Sequence, residues 1–380
     1  MMNIISIEPT PSPNSMKINV DETVAQAITY TQDNREQAPT VIQAVLEIDG
    51  VKSVFRVADF LAVERNGRID WKEILPRVRE VFGEETVSSE NATYDGSTKE
   101  AFGEIKVYVQ TFRSLPIQVK LTNEEEERRF ALPPRFAEAV MKAQSAAENM
   151  VMERRWEERG VRYGDWDEVG EEVVQEVSAA YDDERLAGLT ELALNLQAGE
   201  TPQEKSRGRK VTLAMMKESD WKKRYAALEQ MNPTLEDLPV LNQALSDPKS
   251  SIRRLATAYL GAIEDKAVLP ALYHALKDAS VTVRRTAGDC LSDLGDPAAI
   301  PQMIEALTDK SKLVRWRAAM FLYETGDESA VPALRAAAED PEFEVAMQAK
   351  MALERIERGE EAGGSVWRQM TNRHEHDSTK

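Results

Sequence analysis

Apolar and polar positions recur on a fixed period between Trp221 and Arg358. Pro239, Pro270, Pro301 and Pro332 stand 31 residues apart, and so do Asp247, Asp278, Asp309 and Asp340. The same interval separates Ile252, Val283, Val314 and Val345, then Leu260, Leu291, Leu322 and Leu353, with Ala256, Ala287, Ala318 and Ala349 as a small-residue column. Such self-similarity predicts stacked helix pairs, an α-solenoid, because one pair cannot bury its own apolar stripe. In each unit a proline opens a short helix, where its missing N–H is not needed. A break bearing Asp follows, then a longer helix whose face is marked by Val283, Ala287, Leu291 and Leu294. Gly295-Asp296 and Gly326-Asp327 read as stops for this second helix. Trp221 opens a fainter copy of the unit, with Lys210 to Lys217 as its expected first helix.

The period changes toward the amino terminus. Ile4 to Ile7 and Met16 to Val20 read as strands around a rigid Thr10-Pro11-Ser12-Pro13-Asn14 link, which two prolines exclude from both helix and ladder. Pro39 to Ile48 fits a helix stopped by Gly50, and Val51 to Val57 and Phe60 to Glu64 alternate as two strands. Asp70 and Glu73 form an expected capping box ahead of a helix that buries Ile74, Leu75, Val78 and Phe82. Further on, Glu104 to Phe112 and Pro116 to Leu121 read as strands, and Glu124 to Glu127 as a solvated helix face. Pro133 to about Glu158, Asp165 to Tyr181 and Asp182 to Gln197 read as helices, and Gly199 to Lys210 as a polar linker. The fold class is an α+β amino-terminal module followed by an all-α solenoid. The divisions are 1–88, a mixed middle domain at 89–198, a linker at 199–210, repeats at 211–358 and a tail at 359–380.

Composition narrows the function classes. A net charge of −18 disfavours nucleic acid and anionic membranes as partners. One cysteine, Cys290, excludes an internal disulfide and any four-thiolate site within one chain. No segment reads as a membrane span and the start lacks a leader pattern, so a cytoplasmic protein is expected.

Three resemblances attach to particular residues. The Asp247/Arg253, Asp278/Arg284 and Asp309/Arg315 pairs, followed by Ala, Leu and Gly-Asp, resemble HEAT repeats of the short-period kind shared with phycobilin lyases. That likeness implies an Asp–Arg ladder tying each repeat to the next. Residues 10–17, Ile48-Asp49-Gly50-Val51, Val54-Phe55, Asp59 to Val63 and Trp71 to Phe82 resemble the amino-terminal domain of Nfu, the NifU-like iron–sulfur scaffolds. Those scaffolds hold their cluster with a Cys-x-x-Cys in another domain, and this chain has no such pair. A docking module for iron–sulfur assembly is implied, without the cluster-carrying part. The Gln110 to Lys120 stretch, and the order of the three parts, resemble the conserved virulence factor C family.

Catalytic signatures are absent: there is no G-x-S-x-G, Walker loop, G-x-G-x-x-G or H-E-x-x-H. His374-Glu375-His376 sits in a polar tail that cannot fix a coordination sphere, and His274 and Cys290 read as structural. No cofactor or metal is expected. On the concave side, the column beside the ladder reads Arg254, Arg285, Trp316 and Met347, with Arg317 alongside and Tyr323 nearby. Arg and Trp anchor interfaces, so this column is expected to grip an anionic segment of a partner protein. Pro11, Pro13, Asn14, Met16 and Lys17 are the expected docking residues of the amino-terminal module. The reading is a non-enzymatic adaptor or scaffold for protein partners, iron–sulfur proteins or assembly factors among them, or for virulence-linked regulation. A bilin-lyase-type enzyme, with Asp289, Cys290 and Tyr323 lining a groove, stays open beside it. So does a cluster shared across a dimer through Cys290.

Overall fold

The computed structural model describes every residue except 1, 11, 13, 67–68, 84–103, 124–125, 148, 197–207, 209 and 360–380. Contacts group the chain into two compact units: residues 1–102 together with 295–380, and residues 103–294. The first unit thus joins the amino-terminal module to the last helix pairs, a grouping that the serial division of the sequence does not contain.

In the amino-terminal module β1 (Ile4–Pro9), β2 (Ser15–Tyr30) and β3 (Val51–Arg65) form an antiparallel sheet in that order. Two helices accompany it, α1 (Thr40–Leu46) and α2 (Trp71–Val81). Strand alternation sends Met16, Ile18, Val20, Leu61 and Val63 inward, against Ile42, Leu46, Trp71, Ile74 and Val78 of the helices. The two expected strands at 51–57 and 60–64 are one bent strand, because both halves pair with the same long β2. The bend falls at Ala58, whose φ of 47° is left-handed, where the register to β2 shifts. Gly50 does turn the chain out of α1, at φ 92°, and a Cβ there would stand 2.8 Å from that of Ile69. The expected capping box is not formed: Asp70 is the N-cap of α2 but makes no side-chain cap hydrogen bond, and its carboxylate lies 3.5 Å from Lys72.

The second unit begins with β4 (Ile105–Phe112), β5 (Leu115–Thr122), β6 (Glu127–Ala131), α3 (Pro134–Gln144) and β7 (Arg154–Arg162). These strands form an antiparallel sheet ordered β6-β5-β4-β7. Two expectations fall here. Glu127 opens a strand and Glu126 precedes it without regular structure, so neither is helical, while Glu124 and Glu125 lie outside the described residues. The helix expected to reach Glu158 stops at Gln144, and Arg154 to Arg162 pairs with the edge of β4 instead. That strand has almost no apolar alternation, so its partner strand, not its own pattern, sets its state. The helices α4 (Trp166–Ala180) and α5 (Asp183–Leu194) follow, each with an Asp N-cap whose side chain accepts from the first turn. Most of the expected linker at 199–210 lies outside the described residues.

Helices α6 (Trp221–Glu229), α7 (Leu238–Ala244), α8 (Ser250–Ala262), α9 (Leu269–Ala275) and α10 (Val281–Leu294) complete the second unit. In the first unit α11 (Ile300–Ala306), α12 (Lys312–Thr325), α13 (Val331–Ala337) and α14 (Phe343–Glu357) continue the pattern. The helix expected at Lys210 to Lys217 is only the short 3-10 turn Met215–Lys217. Each short helix carries its proline in the first turn, as the period requires. All four alanines of the small column are fully buried, with Ile252, Val283, Val314 and Val345 beside them.

The ladder is built from one repeated arrangement. Arg253 donates Nε and Nη2 to the Asp278 carboxylate at 2.7 and 2.9 Å, and Nη1 to the carbonyls of Asp247 and Pro248 at 2.8 and 3.2 Å. Arg315 repeats this with Asp340, at 2.7 and 3.0 Å. Arg224, a rung that the faint first copy hid, does the same with Asp247 at 2.6 and 2.9 Å. Fork-on-fork geometry makes these pairs stronger than ordinary surface pairs. Within the second unit α8 and α10 approach closely at Gly261, where a Cβ would overlap Cys290 Sγ and stand 2.8 Å from its Cβ.

Arg253→Ala is expected to lower stability by about 2–3 kcal/mol, since it strips a mostly buried carboxylate and loop carbonyls of their donor. Arg335→Ala, whose pair with Glu357 is largely solvated, should change it by less than about 0.5 kcal/mol. Urea titration followed by far-ultraviolet circular dichroism reads both. Gly261→Ala should cost about 1–3 kcal/mol by overpacking. In a Cys290→Ala background part of that loss should return, because the clash with sulfur goes while the one with Cβ stays.

Candidate functional site

The concave arginines meet the chain itself. α8 carries Arg254 one position past the ladder residue, and that residue's Nη2 donates to both oxygens of Glu176, on α4, at 3.1 and 3.2 Å. Arg162, the last residue of β7, donates to the same carboxylate at 2.8 Å. Three charged side chains are therefore buried together, each less than a tenth exposed. Burial alone would raise the pKa of Glu176. The guanidiniums of Arg254 and Arg162, with the Tyr225 hydroxyl, outweigh it and hold the carboxyl below the usual carboxylate range. Ser251 Oγ donates to Glu172 at 3.0 Å, and Lys249 Nζ to Gln175 Oε1 at 3.0 Å. One face of α4 is thus read by the first turns of α8.

A second contact lies at Arg285 on α10. Its Nη2 donates to the Tyr163 hydroxyl at 3.2 Å, its guanidinium lies 5.0 Å from the Tyr163 ring centroid, and Asp289 sits 2.7 Å from Nη1. Tyr163 in turn donates to Glu104 at 3.2 Å. Burial pushes the Tyr163 hydroxyl up to about 12, with Arg285 opposing the shift, so it stays protonated as a donor. The arginines placed on an open groove by sequence are therefore inside, taken up by the middle segment. Arg254 and Arg285 are 9% and 3% exposed, the first held by Glu176 of α4 and the second by Tyr163, just past β7.

The first unit shows a parallel arrangement. Arg65, at the end of β3, donates Nη2 to Glu344 on α14 at 2.8 Å, and this pair is almost fully buried. Arg65 also donates Nη1 to the Ile69 carbonyl at 3.1 Å, and its guanidinium lies 5.2 Å from the Trp71 ring centroid. Phe343 and Met347 of α14 pack on the core of the amino-terminal module. Of the concave column here, Trp316 is buried with Val345 and Leu313, and Arg317 is buried with its guanidinium 5.2 Å from the Trp316 ring. Tyr323 is half-buried.

The docking residues of the module divide. Pro11 and Pro13 lie outside the described residues. Met16 is a core residue at 3% exposure. Asn14 is tied to Arg65, accepting its backbone N–H at 2.9 Å and its Nε at 3.4 Å. Lys17 lies on the outer sheet face, pairing with Glu8 at 2.9 Å and standing 5.2 Å above the Phe60 ring. Cys290 is buried against the Thr257 carbonyl at 3.5 Å, and burial beside Asp289 and Asp293 pushes its thiol far up. His374-Glu375-His376 lies outside the described residues. Among the described residues, no three His, Cys, Asp or Glu side chains come together in a way that could hold a metal ion, and no helix is long and apolar enough to cross a membrane.

Sequence reasoning missed Glu176, Arg162, Tyr163, Arg65 and Glu344. A signal existed for two of them. Glu176 interrupts the stripe of Val169, Val173, Val177 and Ala180 on α4, where a carboxylate survives burial only if paired. On α14, Glu344, Gln348 and Arg355 form a polar stripe on the helical period, all buried.

Comparison with known proteins assigns the parts. Residues 5–89 match the family described as scaffold protein Nfu/NifU N terminal, residues 110–190 the family described as virulence factor, and residues 209–287 and 269–354 match HEAT repeats. The chain is 63% identical over 372 residues to the uncharacterized protein YpgR of Bacillus subtilis (strain 168), covering 97% of this chain and 98% of that one. It is 48% identical to conserved virulence factor C of Staphylococcus haemolyticus (strain JCSC1435), over 98% of this chain and all of that relative. It is 50% identical to conserved virulence factor C of Staphylococcus aureus (strain MRSA252), again over 98% of this chain and 100% of the relative. With identity of this order along its whole length, and with three family matches in the order its sequence announced, the chain belongs to the conserved virulence factor C family.

Proposed function

We propose that this protein is a non-enzymatic cytoplasmic adaptor that binds other proteins and supports iron–sulfur protein assembly or virulence-linked regulation. The observation that carries the reading is the use of the second repeat helices. Arg254 and Arg285 on α8 and α10 hold a carboxylate and a phenol of the middle segment, which precedes the repeats in sequence and packs with them in one compact unit. Such helices recognise protein surfaces through charge pairs in a dry setting, and an adaptor needs that property. The Nfu/NifU amino-terminal match supports iron–sulfur proteins or assembly factors as partners. Lys17 and the Pro11 to Asn14 link are the residues of that module proposed to meet them. Trp316 and Arg317 act within the fold on this reading, as packing for α12.

The cluster-carrier reading is disfavoured by the burial of Cys290 and by its strongly suppressed ionisation, since the thiolate is the metal ligand. After anaerobic incubation with iron and sulfide, wild type and Cys290→Ala are both expected to lack visible charge-transfer absorption. Absorption seen in wild type and lost in the variant would replace the adaptor reading with the cluster carrier.

The adaptor reading itself is tested by affinity capture from the native host followed by mass spectrometry, comparing wild type with Lys17→Glu. Loss of iron–sulfur assembly factors from the captured set, with the thermal midpoint unmoved, is the expected result. Identical partner sets would contradict a docking role for the module.

A further inference from the structure

The sheet of the second unit has one covered face and one open face. Val107, Val109, Val119 and Leu121 are fully buried on the first, and Phe130, paired with Val119, lies against Gly170 of α4. Alternation along the strands sends Tyr108, Lys120, Arg129 and Trp156 to the other face. Pairing sets Arg129 beside Lys120 and Lys120 beside Tyr108, while Trp156 stands opposite Gln110, two residues along β4 from Tyr108. Lys120 Nζ reaches both rings, 4.8 Å from the Tyr108 centroid and 4.5 Å from that of Trp156, and the Arg129 guanidinium lies 5.7 Å from the Trp156 centroid. Glu127 pairs with both cations, 2.7 Å from Arg129 Nε and 3.7 Å from Lys120 Nζ. All of these partners belong to the sheet itself. The Arg129 and Glu127 side chains are 57% and 42% exposed, so solvent reaches the cluster. Beside it Gln118 Nε2 donates to Gln110 Oε1 at 2.8 Å, which leaves the Gln110 nitrogen and the Gln118 oxygen for another group.

We propose that this open face binds single-stranded nucleic acid, with bases laid on Tyr108 and Trp156 and phosphates held by Lys120 and Arg129. Diagonal neighbours on adjacent strands stand about 7–8 Å apart, a gap that one step of an extended strand spans. An aromatic face accepts any base, and a cation set between two stacking positions meets the phosphate that links them. Gln110, opposite Trp156, supplies an amide that can pair with a base edge. Local charge agrees: Lys106, Lys120 and Arg129 outnumber Glu127 and Glu158 on this face. The net charge of −18 repels a polyanion at long range, but that field is screened beyond about 8 Å at physiological salt. A phosphate would replace Glu127 as the anion between Lys120 and Arg129. An acidic protein segment offers the same anion without planar groups for the two rings, so the aromatic pair favours nucleic acid. The face is separate from the repeat helices, so the proposal does not depend on the adaptor reading.

The test is fluorescence anisotropy with the full-length chain and a short fluorescein-labelled oligouridylate, read across a range of salt concentrations, with thermal midpoints checking that each variant is folded. Wild type is expected to bind, and Trp156→Ala to weaken binding about tenfold without changing its salt dependence, as loss of stacking does. Trp156→Phe should keep most of the wild-type affinity. Lys120→Gln should weaken binding and reduce the slope of log affinity against log salt by about one, as loss of a phosphate contact does. Oligothymidylate bound as tightly identifies a general single-strand platform, and a preference for the ribose strand identifies contacts to the 2′-hydroxyl; either supports the proposal. No binding by wild type overturns it, and so does binding that Trp156→Ala and Lys120→Gln leave unchanged. Polyglutamate of matched charge that competes as well as unlabelled oligonucleotide also overturns it, and makes the face a dock for acidic protein segments. Should Trp156→Ala fail to fold, the Lys120→Gln salt slope and the polyglutamate competition decide.

Discussion

Within each unit, neighbouring repeats depend on one side chain doing two jobs at their junction. The aspartate at the break between helices accepts the backbone N–H two residues on, as Asp247 does from Lys249 at 2.8 Å and Asp278 from Ser280 at 2.7 Å. That fixes the turn into the second helix. The same carboxylate receives the guanidinium of the preceding repeat, whose third nitrogen ties back to the carbonyls of its own break. Turn geometry and inter-repeat spacing are therefore coupled through one ion pair. The later rungs keep one separation, 25 residues for both Arg253–Asp278 and Arg315–Asp340, while the first rung, Arg224–Asp247, closes across 23.

With the ladder holding the stack, the next arginine along the helix is left to face another surface. In the second unit that surface is α4 and β7, through Glu176, Glu172 and the Tyr163 that follows the strand. In the first unit the polarity is reversed, with Glu344 of α14 receiving Arg65 from the amino-terminal sheet. Both contacts bury a charge pair, which gives little net stability but strong discrimination against a wrong partner, because an unpaired charge left behind is costly. Such contacts set which segment sits where more than they set how stable the protein is.

The legible part of this fold was the part governed by local rules. The period placed the opening proline of four short helices and the buried column of Ala256, Ala287, Ala318 and Ala349, and helices were expected from Asp165 and Asp182, which the structure shows as the N-caps of α4 and α5. The strand at Arg154 to Arg162 was hidden because seven of its nine residues are polar or glycine, Trp156 and Val161 being the exceptions, so the pairing with β4 makes it a strand. The concave column was expected to face a partner in an open groove, and the structure buries it: Arg254 and Arg285 meet the middle segment, and Trp316 and Arg317 are also buried. Nothing local to Arg254 says that its partner stands 78 residues earlier in the same chain. A lone glutamate in the apolar stripe of α4 was the available clue, and it identifies a buried charge without naming its mate.

The central claim is that the second repeat helices recognise protein segments through buried arginine–carboxylate pairs. A double-mutant cycle of Arg254→Ala and Glu176→Ala, read by urea denaturation, tests it most directly. The account predicts a coupling energy of about 1–3 kcal/mol, since each single variant strands its partner in a dry site. Additive effects, with coupling indistinguishable from zero, would contradict it.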